Sequence, residues 1–183
     1  MTSTKQVTQG AMFLGIYGAL LLLNKQIGGL FSDMCPILIS ASLIAIGRNK
    51  NVLKYIFSLA VGYLTLSLLF GDLKTYIYAP AGILVAICTI YAIRKYPSGR
   101  EVLLALFLSY LASELLICFI LYPVLGINLQ TQMQGMIDIL NKFNTGFAFY
   151  LALFGFVGTI IIVSIVESLL TVLAINVINK TNN

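Results

Sequence analysis

Six apolar stretches, at about residues 7–24, 28–47, 52–70, 76–93, 102–123 and 146–174, take up most of this chain. Each approaches the roughly 20 residues that a helix, rising about 1.5 Å per residue, needs to cross about 30 Å of hydrocarbon. The chain has 183 residues, 60% of them hydrophobic and only 9% charged. A soluble domain ordinarily carries about a quarter charged residues, and a small domain leaves much of its chain at the surface. So much apolar side chain cannot all be turned inward. The pattern predicts an all-α, polytopic membrane protein: one domain over residues 1–183, a multi-pass, six-transmembrane-helix bundle with both termini cytoplasmic.

The orientation follows from the placement of the basic residues. With six spans, Lys5, Arg48, Lys50, Lys54, Arg94, Lys95, Arg100 and Lys180 fall on one side, and only Lys25, Lys74 and Lys142 on the other. The richer side is expected to be cytoplasmic. The first stretch, Val7 to Leu23, is long for a signal h-region and lacks a small-x-small cleavage site, so it reads as a retained span. The second stretch is the weakest, because Ser32, Asp33 and Pro36 shorten its apolar part to Ile37–Ile46 and suggest a bent or re-entrant entry. The sixth is over-long and is expected to tilt or project beyond the membrane. Cys35, Cys88 and Cys118 lie in or beside apolar segments without CxxC spacing and read as free thiols.

The longest connection, Pro123 to Thr145, has a pattern of its own. Leu129, Met133, Met136, Leu140 and Phe143 recur at helical spacing, with Gln130, Gln132, Gln134, Asp138 and Asn141 opposite them. This predicts a short amphipathic helix at the outer surface, N-capped by Asn128 and carrying an Asp138–Lys142 pair. No internal repeat is visible, so inverted-repeat transporter folds gain no support.

Within the spans a few residues stand out. Ala11, Gly15 and Ala19 at four-residue intervals clear a groove on one helix face, for a partner subunit or for packing inside the chain. Glu114 and Glu167 lie in apolar spans, where a charge costs about 2.5–3.5 kcal/mol or more. Glu114 is either a polar contact at the floor of an outward cavity or a protonated carboxyl bonded to a neighbouring helix. Glu167 is expected nearer the cytoplasm. Tyr76, Tyr78, Tyr122, Phe147, Phe149 and Tyr150 gather near the outer ends, as an interfacial belt or as ring-stacking faces. Asn24, Asn128 and Asn144 lie at the same level. Asp33, Asp72 and Asp138 balance the three outer lysines, which favours a neutral or modestly charged solute.

Catalysis has little to stand on. The chain has no histidine, the commonest general base and metal ligand. No HExxH, GxSxG or P-loop occurs, so no enzyme, cofactor or metal is expected and any ATP must be bound elsewhere. No basic-aromatic face for nucleic acid is present.

The opening TQGAMFLGIYGALLLL, six helices in about 180 residues, inward termini and the small-residue stripe resemble the substrate-binding S components of energy-coupling factor (ECF) vitamin transporters. The resemblance implies a six-helix bundle in a bacterial cell membrane, whose outer half encloses a vitamin or vitamin precursor. A pyridoxine- or hydroxymethylpyrimidine-sized ring is the leading candidate. It further implies that Ala11, Gly15 and Ala19 contact a transmembrane coupling subunit of the EcfT type, which joins two cytoplasmic ATPases of the EcfA type. The chain itself would hold no cofactor. The expected binding residues are Asn24, Tyr76, Tyr78, Glu114, Asn144 and Tyr150, beneath the 123–145 connection. The rival reading is a scaffold of the MreD-like cell-shape type, which needs no outer cavity.

Overall fold

The computed structural model describes residues 4–29, 31–47, 53–95, 99–124, 126, 128–142 and 147–180. Every element among them is helical: α1 (Thr4–Gln26), a single 3-10 turn (Ser32–Met34), α2 (Cys35–Gly47), α3 (Leu53–Phe70), α4 (Leu73–Lys95) and α5 (Gly99–Leu116). After α5 the chain widens into a π-helical stretch (Ile117–Leu121), then runs through the one-turn α6 (Tyr122–Val124), α7 (Leu129–Lys142) and the 33-residue α8 (Ala148–Lys180). Four helices are long and apolar enough to cross a membrane: Val7–Gln26, Leu73–Lys95, Gly99–Phe119 and Ala148–Ile178. Ser32–Gly47 and Lys54–Phe70 are shorter apolar helices. Large apolar side chains such as Phe57, Leu68, Phe119 and Phe154 are more than 60% exposed, far more than a water-facing surface of this size ordinarily shows.

The short second helix is the hub. Ten of the 13 residues of α2 are buried, and it packs against α1, α3, α4 and α8. Its shortness and its serines, which weaken it as a lone span, suit a helix walled in by other helices. Pro36 is tolerated because it lies in the first turn, where its missing amide has no intrahelical partner to lose. Facing it, Gly82 of α4 lets two backbones meet: a Cβ there would lie 2.7 Å from Pro36 Cα and 2.9 Å from its carbonyl oxygen.

Buried hydroxyls bind the helices laterally. Ser40 of α2 is hydrogen-bonded to Tyr110 of α5 at 2.6 Å, and Tyr110 to Thr171 of α8 at 2.7 Å. The chain ends where Ser40 Oγ donates to the Ile37 carbonyl at 3.1 Å. Ser42 pairs with Tyr63 of α3 at 2.6 Å. The Tyr63 ring stands edge-on to Tyr17 of α1, with centroids 5.0 Å apart, and Tyr17 in turn pairs with Ser67 at 2.7 Å. Every member of these two networks is buried. Such groups are costly unless partnered, so the networks fix which faces meet.

At the basic end of the bundle, Tyr55 of α3 donates to the Val7 carbonyl of α1 at 3.1 Å, and Arg94 Nη2 donates to the last carbonyl of α2, Gly47, at 3.2 Å. Asn176 of α8 lies there too, lining a cavity of about 290 Å³ with Gly99 and Val102. So α1 begins and α8 ends at the same end. At the opposite end α1 closes with Gly28 and Gly29 in the left-handed region, φ 73° and 87°. Gly29 N donates back to the Asn24 carbonyl at 2.9 Å, the six-to-one bond of a Schellman cap. The amphipathic helix forms as its spacing predicts. Asn128 Oδ1 accepts from Gln130 N at 2.9 Å. Asp138 accepts from Gln134 Nε2 at 3.1 Å, where Lys142 was the expected partner.

Candidate functional site

The Tyr110–Thr171 bond sets the register of α5 against α8. The two helices run antiparallel, so stepping four residues forward on α5 and four back on α8 climbs one turn toward the opposite end on each. Those steps land on Glu114 and Glu167. The two carboxyls interact electrostatically with each other and with Asp33, just before α2. Tyr78 of α4 lies within electrostatic reach of Tyr122, beyond the π-helical stretch, and of Glu114 and Asp33. Pro123 explains the widening nearby: it has no amide to give the Phe119 carbonyl, and its ring crowds that carbonyl.

Burial increases along this cluster. Asp33 is exposed, Glu114 and Tyr78 are half-buried, and Glu167 is 6% exposed. Glu167 was expected nearer the cytoplasm, in solvent or against a partner; along α8 it is closer to Lys180 than to Ala148, and it is enclosed one turn above the hydroxyl network. Two buried side-chain oxygens stand without a hydrogen-bond partner among the described residues, Thr89 Oγ1 and Glu167 Oε2. A carboxyl oxygen left without a donor in an apolar bundle is the costlier of the two by far.

Of the six residues expected to bind solute, Tyr78 and Glu114 come together here. Asn24 belongs to a separate network. Its Oδ1 accepts from Phe31 N at 2.7 Å and its Nδ2 donates to Ser32 Oγ at 2.8 Å, which commits the amide to closing the α1–α2 turn. Ser32 Oγ passes the chain on to Asp72 Oδ2 at 2.8 Å. Asp72 Oδ1 caps α4, accepting from Thr75 N at 2.8 Å and Thr75 Oγ1 at 2.6 Å. Burial alone would raise the Asp72 carboxyl, but the hydrogen bonds from Thr75 and Ser32 outweigh it and hold the group below its ordinary value. Tyr76 and Tyr150 are exposed, the latter edge-on to Phe149 with centroids 5.7 Å apart. Asn144 lies outside the described residues. The expected cover, α7, has α8 as its packing partner.

The stripe on α1 faces outward. Ala11, Gly15 and Ala19 are exposed, and a Cβ at Gly15 would meet nothing within 4 Å. Close approach of α1 to α3 uses other glycines. A Cβ at Gly10 would run into the Tyr55 hydroxyl, and one at Gly62 would lie 3.0 Å from Leu14.

Sequence reasoning treated Glu114 and Glu167 separately. The signal that joins them is the four-residue spacing in Tyr110…Glu114 and Glu167…Thr171, polar residues on one stripe of each helix. Cavities of about 300 and 290 Å³ are lined by Arg100, Leu104 and Ser168 and by Ile44, Val102 and Asn176. A third, of about 90 Å³, lies beside Tyr17, Asn24 and Cys35. Comparison with protein-family models, curated proteins and solved structures finds no match for this chain.

Proposed function

We propose that this chain is the substrate-binding and translocating S subunit of an ECF-type ABC importer in a bacterial cell membrane. In this reading all six apolar helices cross the bilayer, the basic end is cytoplasmic, and the opposite half receives a small vitamin or vitamin precursor. The observation that carries it is the carboxyl pair of α5 and α8: Glu167 is buried with its Oε2 unpartnered among the described residues, and Glu114 lies within its electrostatic reach. A scaffold has no use for an unpaired buried carboxyl, whereas a solute site does. The outward-facing stripe on α1 supports a coupling subunit as its neighbour. ATP is bound by two partner ATPases and not by this chain. The cell-shape scaffold keeps one observation in its favour: the cavity of about 90 Å³ at the opposite end is smaller than a ring-sized vitamin requires.

Purification of the tagged chain from its own membranes tests the assignment. Two ATPases and a coupling subunit are expected with the wild type, and cytoskeletal proteins would point to the scaffold. Gly15→Leu should lose the ATPases while the chain alone keeps its thermal stability, because the new side chain enters open space. A Gly15→Leu variant that unfolds, or that retains its partners, would remove the stripe from the interface.

The topology has its own check. A cysteine placed at position 134, on exposed Gln134 of α7, should react with an impermeant maleimide from outside the cell, and one at position 98 should not. The reverse pattern would invert the protein.

A further inference from the structure

The acidic cluster has a feature that a neutral solute does not explain: among the described residues, the charges acting on Glu114 and Glu167 are all negative. Glu114 is 14 residues from Arg100, the nearest basic residue on α5, and Glu167 is 13 from Lys180 on α8, each about 20 Å of helix rise. The α4 segment 75–93 and the α2 segment 34–47 carry no basic residue at all. Yet Glu167 is 6% exposed, its Oε2 accepts no hydrogen bond among the described residues, and it interacts with Glu114 and Asp33.

We propose that Asp33, Glu114 and Glu167 form the binding site for an organic cation, whose positive group sits between Glu114 and Glu167. This rests on the importer reading and names the charge class of its solute. The graded burial from Asp33 through Glu114 to Glu167 gives an attractive path from the surface inward. Tyr78 and Tyr122 stand beside that path and supply hydroxyl and ring faces. Directly after Glu114 the helix changes to the π form at Ile117–Leu121, a local loosening that recurs at ligand sites. A metal ion fits less well, since among the described residues no three His, Cys, Asp or Glu side chains converge as a metal would require. An organic cation, larger and softer, needs no such convergence. The near balance of outer charges suggested a neutral or modestly charged solute; the buried pair selects a positive one.

The test uses the purified full-length chain in detergent and thermal unfolding at neutral pH. The cationic probes are choline, thiamine and N-methylnicotinamide; the uncharged probes are pyridoxine and 3,3-dimethylbutan-1-ol, which has the shape of choline without its charge. At least one cation is expected to raise the unfolding temperature, its uncharged counterpart to have no effect, and Glu114→Gln and Glu167→Gln each to weaken that response about tenfold or more. Without probe, Glu167→Gln should be at least as stable as wild type, because it removes an unpaired carboxyl and keeps its shape. That arm separates a ligand site from a structural acid, whose loss would destabilise the empty protein. The proposal is overturned if no cation shifts the wild type, or if the shift survives both substitutions. Pyridoxine binding that survives both would remove the cation assignment and leave the importer reading standing. Cation binding without co-purifying ATPases would do the opposite.

Discussion

Replacing Gly82 by leucine is expected to leave no folded, monodisperse protein, and Gly82→Ala to lower stability by about 1–3 kcal/mol. The reason is that the obstacle is main chain. A Cβ at position 82 meets Pro36 Cα at 2.7 Å, the Pro36 oxygen at 2.9 Å and its carbonyl carbon at 3.2 Å. None of these atoms can rotate aside as a side chain does. Relief requires α2 and α4 to separate, and α2 is the helix on which α1, α3 and α8 also pack. Gly155 is the control: it lies in α8 with nothing within 4 Å of a built Cβ, so Gly155→Ala should be neutral or stabilise by about 0.5–1 kcal/mol through helix propensity. Thermal unfolding of both alanine variants in the same detergent decides the point. Equal stability would mean that α2 and α4 are not in backbone contact.

Asp72→Ala should cost on the order of 2–3 kcal/mol, a fall of roughly 5–10 °C in unfolding temperature for a chain of this length. One carboxylate serves three donors here: Ser32 Oγ, Thr75 N and Thr75 Oγ1. Through Ser32 it also holds Asn24, so its loss loosens the cap of α4 and the α1–α2 turn together. The group has a pH signature. Its carboxyl is held below the ordinary value in the folded protein, so its contribution is complete above the unfolded value of about 3.9 and is lost as pH falls through the lower folded value. Wild type should therefore lose stability relative to Asp72→Ala as pH is taken below about 4. A difference between the two that stays constant from neutral pH to the acid end would show that the charge of Asp72 contributes nothing.

How much of this could be read from residues alone differs from element to element. The helices themselves were legible, because apolar runs of this length bounded by polar or basic residues have few other solutions. So was α7, where polar and apolar faces alternate with the helical period and Asn128 supplies the cap. The alternation of basic residues anticipated an α1 that begins, and an α8 that ends, at one end of the bundle.

Facing was not legible, and the cause is physical. The long helices are apolar all round, so the period that reveals the buried side of an amphipathic helix is absent from them. Whether Gly10 or Gly15 looks toward α3 is therefore undecided until the neighbour is placed; the fold turns Gly10 inward and leaves the Ala11–Gly15–Ala19 stripe outside. The same limit hid the centre of the molecule. The second stretch looked weakest because it is short and carries serines and a proline, yet a helix enclosed by others needs neither length nor a fully apolar surface, and α2 became the hub. Asn24 shared a level with the tyrosines in the sequence, but the left-handed turn at Gly28 and Gly29 draws its amide into the Ser32–Asp72 network. Glu114 and Glu167 lie 53 positions apart in the chain. Only the antiparallel register of α5 and α8, set by the bond between Tyr110 and Thr171, brings their carboxyls within electrostatic reach of each other.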